Sequence, residues 1–239
     1  MIQLREKFNN PPSIYRSAPL WVWNDNMEEK NIDWQLAELK KHGFGGAFIH
    51  PRPGLMTPYL SEEWFRLWKY ALESAKKLDM KVYIYDENSY PSAFAGGHVS
   101  KELPDCLAAS AVKSIHKTSE FVTVHRVLGT TDSTFIKAFI CEREKNILHI
   151  CKDVSLLPAS SWQSFGKEVC LFQLIKGETT SWLAGYANVD SLRPEVTEEF
   201  LSCTYDRYFS EVGREFGGAV PAIFSDEPYV SGGGAYCHR

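Results

Sequence analysis

KVYIYDENSYPSAFAGG, residues 81–97, joins an apolar run to a polar segment in a way that decides the fold. The apolar run at 81–85 predicts a buried strand, and it ends directly in Asp86 and Glu87. The stretch VPAIFSDEP, residues 220–228, repeats this pattern, because its apolar run also ends in an Asp-Glu pair. Two apolar strands that each end in adjacent carboxylates indicate that the strand ends carry the function.

The rest of the first hundred residues alternates short apolar runs with helical patterns. Further strands are predicted at 20–23 and 46–50, and a fourth strand at 220–224 follows a helical pattern that starts at Pro194. Strand, helix and strand at this spacing predict right-handed βαβ units and a parallel sheet. The predicted fold class is therefore α/β, a partial (β/α)8 TIM barrel that holds the first four βα strands.

Local signals predict where the helices begin and end. A helix is predicted at 27–42, with Asn24 or Asn26 as its N-cap and Gly43 directly after its end. Ser61 is predicted to cap the next helix, which carries two glutamates in its first turn.

A β-rich insertion is predicted after the third strand. Apolar and polar residues alternate there between polar turns, which is typical of antiparallel strands; the predicted strands cover 121–127, 134–141, 147–151, 168–175 and 181–186. The predicted organisation is a first part of the barrel at 1–103, the insertion at 104–186, and a truncated continuation of the barrel at 187–239.

The composition excludes several functional classes. The net charge is −4 and the charges are well mixed, so no basic stripe for a nucleic-acid partner is predicted. No apolar run approaches the about 20 residues of a membrane helix, and no signal peptide is apparent at the N-terminus. The six cysteines match no zinc spacing and predict reduced thiols in a cytoplasmic protein.

Polar residues follow each predicted strand, and parallel strands bring their carboxyl ends to one edge. The predicted catalytic residues are Asp226 and Glu227, and the predicted substrate-binding residues are Trp23, Asn24, His50, Arg52, Asp86, Glu87 and Tyr90. Each also has a structural interpretation: a carboxylate can cap a helix, His50 can be a structural histidine, and the aromatic rings can belong to the core. Glu227 is the hardest to explain structurally, because it precedes a proline and no helical pattern follows it.

Several carboxylates in one cleft support two kinds of chemistry. A pair at a controlled separation can cleave a glycosidic bond, with one group as the acid and the other as nucleophile or base. The aromatic side chains Trp23 and Tyr90 offer stacking faces to a sugar ring, and His50 and Arg52 can bind its hydroxyl groups. A cluster of acids can instead hold calcium through oxygen ligands.

The segments 10–25, 43–65, 81–97 and 222–228 together resemble the N-terminal half of a group of bacterial α-L-rhamnosidase-like enzymes related to glycoside hydrolase family 106. The resemblance implies a barrel glycosidase that acts on terminal sugars, with calcium in the site. It implies that Glu227 is the general acid/base, beside Asp226 where related barrels carry asparagine. It further implies that Asp86 and Glu87 contact substrate or metal, and that His50 and Arg52 belong to a family His-Pro-Arg motif.

The sequence departs from this family in one respect. Related barrels take their second catalytic carboxylate from a later strand, whereas four strands form about half a barrel. We therefore expect either a fragment of a longer protein or a missing barrel half on another chain, and the isolated chain can be inactive. The alternatives are a non-catalytic carbohydrate-binding remnant and a metal-dependent barrel lyase or isomerase.

Overall fold

The structure is a computed structural model that describes residues 2–106, 109–120 and 133–228. The chain divides into two compact units. The first unit comprises residues 1–106 and 179–229, and the second comprises residues 107–178 and 230–239. Each unit has its own sheet, and together the described elements make a mixed α/β protein.

The described strands are β1 (Leu20–Trp23), β2 (Gly46–Pro51), β3 (Lys81–Tyr85), β4 (Ala109–Lys117), β5 (Ser133–Glu144), β6 (Ile147–Asp153), β7 (Glu168–Lys176) and β8 (Ile223–Phe224). The described α-helices are α1 (Ile2–Asn9), α2 (Glu29–Lys41), α3 (Glu62–Lys77), α4 (His98–Glu102), α5 (Pro194–Phe200) and α6 (Arg207–Val212). A π-helical turn, Leu201–Asp206, joins α5 to α6, so the continuous helix predicted from Pro194 is interrupted.

The first unit contains the predicted parallel sheet. Its strand order is β1-β2-β3-β8, and all three pairings are parallel. The four strands form an open sheet in the part of the chain that the structure describes, so the partial TIM barrel is not established. The fourth strand is shorter than predicted, because Val220 bridges to Phe216 and Pro221 has no N–H to donate to a ladder.

Two of the three helix-end signals predicted from the sequence are confirmed by the structure. Ser61 caps α3, since its Oγ accepts the Trp64 N–H at 3.2 Å, and Gly43 adopts a φ of +86° after α2, as predicted. The predicted N-cap of α2 is wrong. The N-cap position is Glu28, because residues 24–27 are irregular and the Asp25 carboxylate accepts the Asn26 N–H at 2.7 Å before the helix begins.

The core of the first unit lies between the sheet and helices α2 and α3. Its fully buried members alternate along the strands and recur at helical spacing, and the largest are Trp23, Ile32, Leu36, Ile49, Trp64, Phe65, Leu67, Trp68, Met80 and Tyr208. The Trp64 Nε1–H donates to the Tyr208 hydroxyl at 3.1 Å, which ties α3 to α6 through the core. This packing holds the sheet and therefore fixes the positions of its strand ends.

The second unit is an antiparallel sheet with strand order β4-β7-β5-β6. Three predicted strands of the insertion are confirmed as β5, β6 and β7, although each is longer than predicted. The predicted strand at 121–127 lies outside the described residues, and β4 was not predicted. The predicted strand at 181–186 is wrong: Ser181–Leu183 is a 3-10 turn, closed by a hydrogen bond from the Leu183 N–H to the Thr180 Oγ1.

Candidate functional site

The carboxyl ends of β1, β2, β3 and β8 share one edge of the sheet, because all four strands run parallel. Strand register aligns Trp23 with Pro51 and Tyr85 with Phe224, so the polar residues after these positions lie along the same edge. We call this edge the strand-end rim. It contains the sequence-predicted residues Asn24, Arg52, Asp86, Glu87, Asp226 and Glu227.

Asp86 and Asp226 are joined through a single serine. The Ser92 hydroxyl donates to Asp86 Oδ1 at 2.6 Å and accepts the Asp226 N–H at 2.8 Å. The Ser92 N–H in turn donates to the Asp226 carbonyl oxygen at 2.7 Å. The loop after β3 is thereby fastened to the segment after β8, and two aspartates that are far apart in sequence meet at the rim.

Tyrosine hydroxyls hold the two carboxylates in place. Tyr85 donates to Asp226 Oδ2, and Tyr205 donates to Asp86 Oδ2 at 2.8 Å. Asp86 is only 1% exposed, and burial raises the pKa of its carboxyl group, whereas the bonds from Ser92 and Tyr205 oppose that rise. Asp86 is therefore a positioned, buried acid, and Asp226 is the more accessible of the two aspartates.

Sequence reasoning did not assign Tyr205 to the site. The residue lies in the π-helical turn between α5 and α6, where the wider backbone ring inserts one extra residue and changes the direction of the side chains that follow. No local pattern of apolar residues distinguishes a π-turn from an ordinary helix. The only available signal was a tyrosine at a position that breaks the apolar face of the predicted helix.

His50 is fully buried at the carboxyl end of β2. Its ring centroid lies 3.7 Å from that of Tyr85, and among the described residues neither of its ring nitrogens has a hydrogen-bond partner. Burial, with the nearby charge of Arg52, lowers the pKa of His50 to about 4, while the charge of Asp226 opposes the shift. Buried polar groups are normally hydrogen-bonded, so a buried imidazole that lacks a partner and feels the charge of Asp226 is available to bind a ligand.

We expect His50 to stay neutral from pH 8 down to about pH 5. When the folded-state pKa of a histidine is depressed, the protein loses stability as the pH falls below the pKa of the unfolded state. The reason is that only the unfolded chain takes up the proton in this range. From an ordinary value of about 6.5 to about 4, this contribution is at most about 3 kcal/mol and develops between those two pH values. NMR titration of the imidazole signal checks the protonation. Urea unfolding of His50→Gln and of the natural protein at pH 7 and pH 5 checks the energy. An equal loss of unfolding free energy in the two proteins between pH 7 and pH 5 would contradict the prediction.

Glu87 was predicted to contact substrate or metal, and the structure gives both of its oxygens other partners. It is fully buried, and its carboxylate accepts five N–H bonds from the loop that follows it, from Asn88, Ala93, Phe94, Ala95 and Gly96, at 2.5–3.2 Å. Burial raises the pKa of Glu87, and the N–H bonds oppose that rise. The side chain organises the loop that carries Tyr90 and Ser92, and it does not face the rim.

The remaining predicted residues differ in accessibility. Glu227 is exposed and has a φ of +42°, which is unusual for a residue with a side chain. Asn24 is exposed at the end of β1, where its carbonyl oxygen lies against Gly54. Trp23 was predicted to offer a stacking face, but it is fully buried in the core between Trp21 and Trp64. Its ring has no surface to present to a sugar.

Arg52 and Tyr90 belong to a cluster that sequence reasoning found only in part. The Arg52 guanidinium carbon lies 5.4 Å from the ring centroid of Tyr90 and 5.2 Å from that of Trp182. Trp182 comes from the 3-10 turn that was predicted as a strand, so its position at the rim was not expected. We call these three residues the Arg52–Tyr90–Trp182 cluster.

No protein family and no curated protein matches the sequence. Among solved structures, the chain is similar to a rhamnosidase from Novosphingobium sp. PP1Y, with 20% sequence identity and a TM-score of 0.31. The match covers 60% of this chain and 12% of the rhamnosidase, so the chain corresponds to a small part of that enzyme's length. A likeness at this TM-score does not establish the fold of the chain.

The residues at the rim do not fit the calcium site that the sequence resemblance implies. In the part of the chain that the structure describes, no three His, Cys, Asp or Glu side chains are grouped as a metal site requires. Both oxygens of Asp86 and both of Glu87 are already hydrogen-bonded.

No described helix is long and apolar enough to cross a bilayer.

Proposed function

We propose that this chain carries part of a glycoside hydrolase site that acts on a terminal sugar, with an α-L-rhamnoside as the first substrate to test. The observation that carries the proposal is the shared hydroxyl of Ser92, which brings Asp86 and Asp226 together at the rim next to Glu227. Glycosidic cleavage uses carboxylates in different environments at one site, and the rim carries three acidic residues that differ in burial: Asp86 is buried, Asp226 is partly buried and Glu227 is exposed. The resemblance to glycoside hydrolase family 106 supports the choice of sugar.

The roles in this proposal follow the accessibility of each group. Glu227 is exposed and protonates the leaving oxygen, and Asp226 binds the substrate with the one carboxylate oxygen that Tyr85 does not occupy. Asp86 is buried and holds the residues of the rim in position. His50 donates a hydrogen bond to a sugar hydroxyl or accepts one from it. The second catalytic carboxylate comes from outside the described residues, on further strands that complete the barrel.

A second candidate is a carbohydrate-binding module without catalysis. It is favoured by the exposed aromatic rings of Tyr90 and Trp182 and by the engagement of both Asp86 oxygens within the protein. A metal-dependent lyase or isomerase has no comparable support, because the described residues hold no metal-type cluster.

A panel of nitrophenyl glycosides separates these functions. We expect release of nitrophenol from the α-L-rhamnoside in preference to the other sugars, and saturation-transfer NMR contacts with L-rhamnose. Binding of sugar without hydrolysis of any member, in the complete protein, would assign the binding module. The same assay with a chelator tests calcium, and we expect an unchanged rate because the described rim residues do not fit a calcium site. Absence of both hydrolysis and sugar binding would contradict the proposal.

A further inference from the structure

We propose that the Arg52–Tyr90–Trp182 cluster is a subsite for a sugar that carries a carboxylate, a hexuronate unit next to the bond that the rim acids cleave. This inference rests on the proposed carbohydrate function and names the chemistry of one of its substrates. It depends on three features of the cluster: an arginine without an acidic partner, two exposed rings of fixed orientation, and a rigid supporting turn.

Arg52 is half-buried, yet no Asp or Glu among the described residues pairs with it, and its side chain makes no hydrogen bond there. Two other arginines of the first unit do have carboxylate partners: Arg66 pairs with Glu29 and Glu63, and Arg193 pairs with Glu195. The rings of Tyr90 and Trp182 make cation–π contacts with the Arg52 guanidinium group, but they provide no hydrogen-bond acceptor for its N–H groups. Those donors form a planar fork that matches a carboxylate with two parallel hydrogen bonds.

The two rings of the cluster are exposed, in contrast to the aromatic core behind them. Trp182 is 41% exposed and Tyr90 is 40% exposed, whereas Trp23, Trp64 and Trp68 are fully buried. The ring planes of Tyr90 and Trp182 stand at 82° with centroids 5.5 Å apart. They therefore form a corner whose open faces can pack against the C–H face of a pyranose ring, while Arg52 lies within reach of its substituent.

The orientation of Trp182 is fixed by hydrogen bonds before any ligand arrives. Its Nε1–H donates to the Tyr90 carbonyl oxygen at 2.8 Å, which links the turn to the loop after β3. The same turn is closed by the Gly185 N–H bond to the Thr180 carbonyl at 2.9 Å. A preorganised site avoids the entropy cost of ordering its side chains on binding.

The turn that carries Trp182 also packs closely against the segment that follows β3. Tyr186 lies so near Gly97 that a Cβ atom at that glycine would be 2.7 Å from the tyrosine ring, and Gly97 has a φ of +98°. A side chain at this position would clash as well as strain the backbone. The close approach keeps Trp182 at a constant distance from the loop that carries Tyr90.

The cluster adjoins the rim acids. The Ser89 N–H donates to the Pro51 carbonyl oxygen at 3.1 Å, so the Tyr90 loop is fastened to the strand that leads into Arg52. The charge of Arg52 also acts on His50, where it adds to burial, the larger cause, in lowering the pKa of the imidazole. A carboxylate held by Arg52 would therefore lie beside the sugar that contacts the rim, as the neighbouring unit of the same glycan.

Paired ligands test this inference directly. The methyl glycosides of glucuronic and galacturonic acid are compared with their neutral glucose and galactose counterparts by calorimetry and saturation-transfer NMR. We expect at least one uronide to bind about 10-fold more tightly than its neutral counterpart, because a hydrogen bond to a charged group contributes more than a neutral one. We also expect this preference to shrink as the salt concentration rises.

Variants assign the preference to individual residues. Arg52→Gln is expected to abolish the difference between uronide and neutral sugar, and Trp182→Ala to weaken both about 3- to 10-fold through lost stacking. The controls are Arg214→Gln and Trp34→Ala, which change an exposed arginine and a 64% exposed tryptophan of the same unit that lie outside the cluster. Neither control is expected to change the binding.

Equal affinity for uronide and neutral sugar, or a preference that survives in Arg52→Gln, would overturn the inference. Neither outcome affects the proposed hydrolase, which is judged by the nitrophenyl glycosides. If no sugar of either kind binds, the subsite is overturned, and a rate on the α-L-rhamnoside would still support the hydrolase.

Discussion

Replacement of Glu87 by glutamine is expected to destabilise the first unit by about 3–5 kcal/mol, as two or three buried N–H donors lose their acceptor. Oε1 accepts from Asn88 and Gly96, and Oε2 accepts from the N–H groups of 93–95. Whichever way the amide is turned, its NH2 group faces at least two of these donors. Urea unfolding followed by tryptophan fluorescence measures the change, because six of the seven tryptophans belong to the first unit.

The size of the effect also reports the protonation state of Glu87. Glutamine is close in shape to a protonated glutamic acid, so a neutral Glu87 would tolerate the change with a loss below about 1 kcal/mol. Burial raises the pKa of Glu87 to about 8, which favours the protonated acid, but a proton on either oxygen would have to displace an N–H donor, so the geometry favours the ionised carboxylate. Glu102→Gln is the matched control, because Glu102 is exposed in α4 and its side chain makes no hydrogen bond to the other described residues. A small loss in Glu87→Gln, similar to that of the control, would contradict the anionic assignment.

The parallel sheet was predictable because its signals are local. The apolar runs of β2 and β3 are short and nearly continuous, as expected for strands covered by helices. Ser61 and Gly43 mark helix ends through hydrogen bonds and dihedral angles that involve only neighbouring residues. From parallel strands it follows that their carboxyl ends share an edge, which predicts that Asp86 and Asp226 lie near each other, and both contact Ser92.

The parts of the site that sequence reasoning missed depend on backbone geometry over longer distances. Tyr205 reaches Asp86 only because the helix widens into a π-turn, and Trp182 reaches Arg52 only because Thr180 closes a 3-10 turn. Glu87 resembled a substrate ligand in the sequence, and its five partners are main-chain N–H groups that no residue pattern encodes. Side-chain identity thus predicted which residues are polar at the rim, but the loop conformation decided which of them face it.

In the complete enzyme, Glu227→Gln is expected to lower turnover on a phenyl α-L-rhamnoside by about 10²- to 10⁴-fold, the usual contribution of a general acid. Substrate binding is expected to be retained, because glutamine keeps the shape of the side chain and loses only the proton that the leaving oxygen requires. Glu227 is exposed at the rim, so the change carries little risk for folding. Steady-state kinetics give turnover and binding separately.

The leaving group distinguishes an acid from the other roles of a carboxylate. A dinitrophenyl group departs without protonation, so Glu227→Gln should lose little activity on the dinitrophenyl rhamnoside if Glu227 is the acid. A nucleophile would show the large loss on both substrates, because the attack on the sugar would be absent in each case. Glu142→Gln, an exposed glutamate on β5 of the second unit, controls for the loss of one negative charge. An unchanged rate on the phenyl substrate would remove Glu227 from the mechanism and leave Asp226 as the accessible carboxylate of the rim.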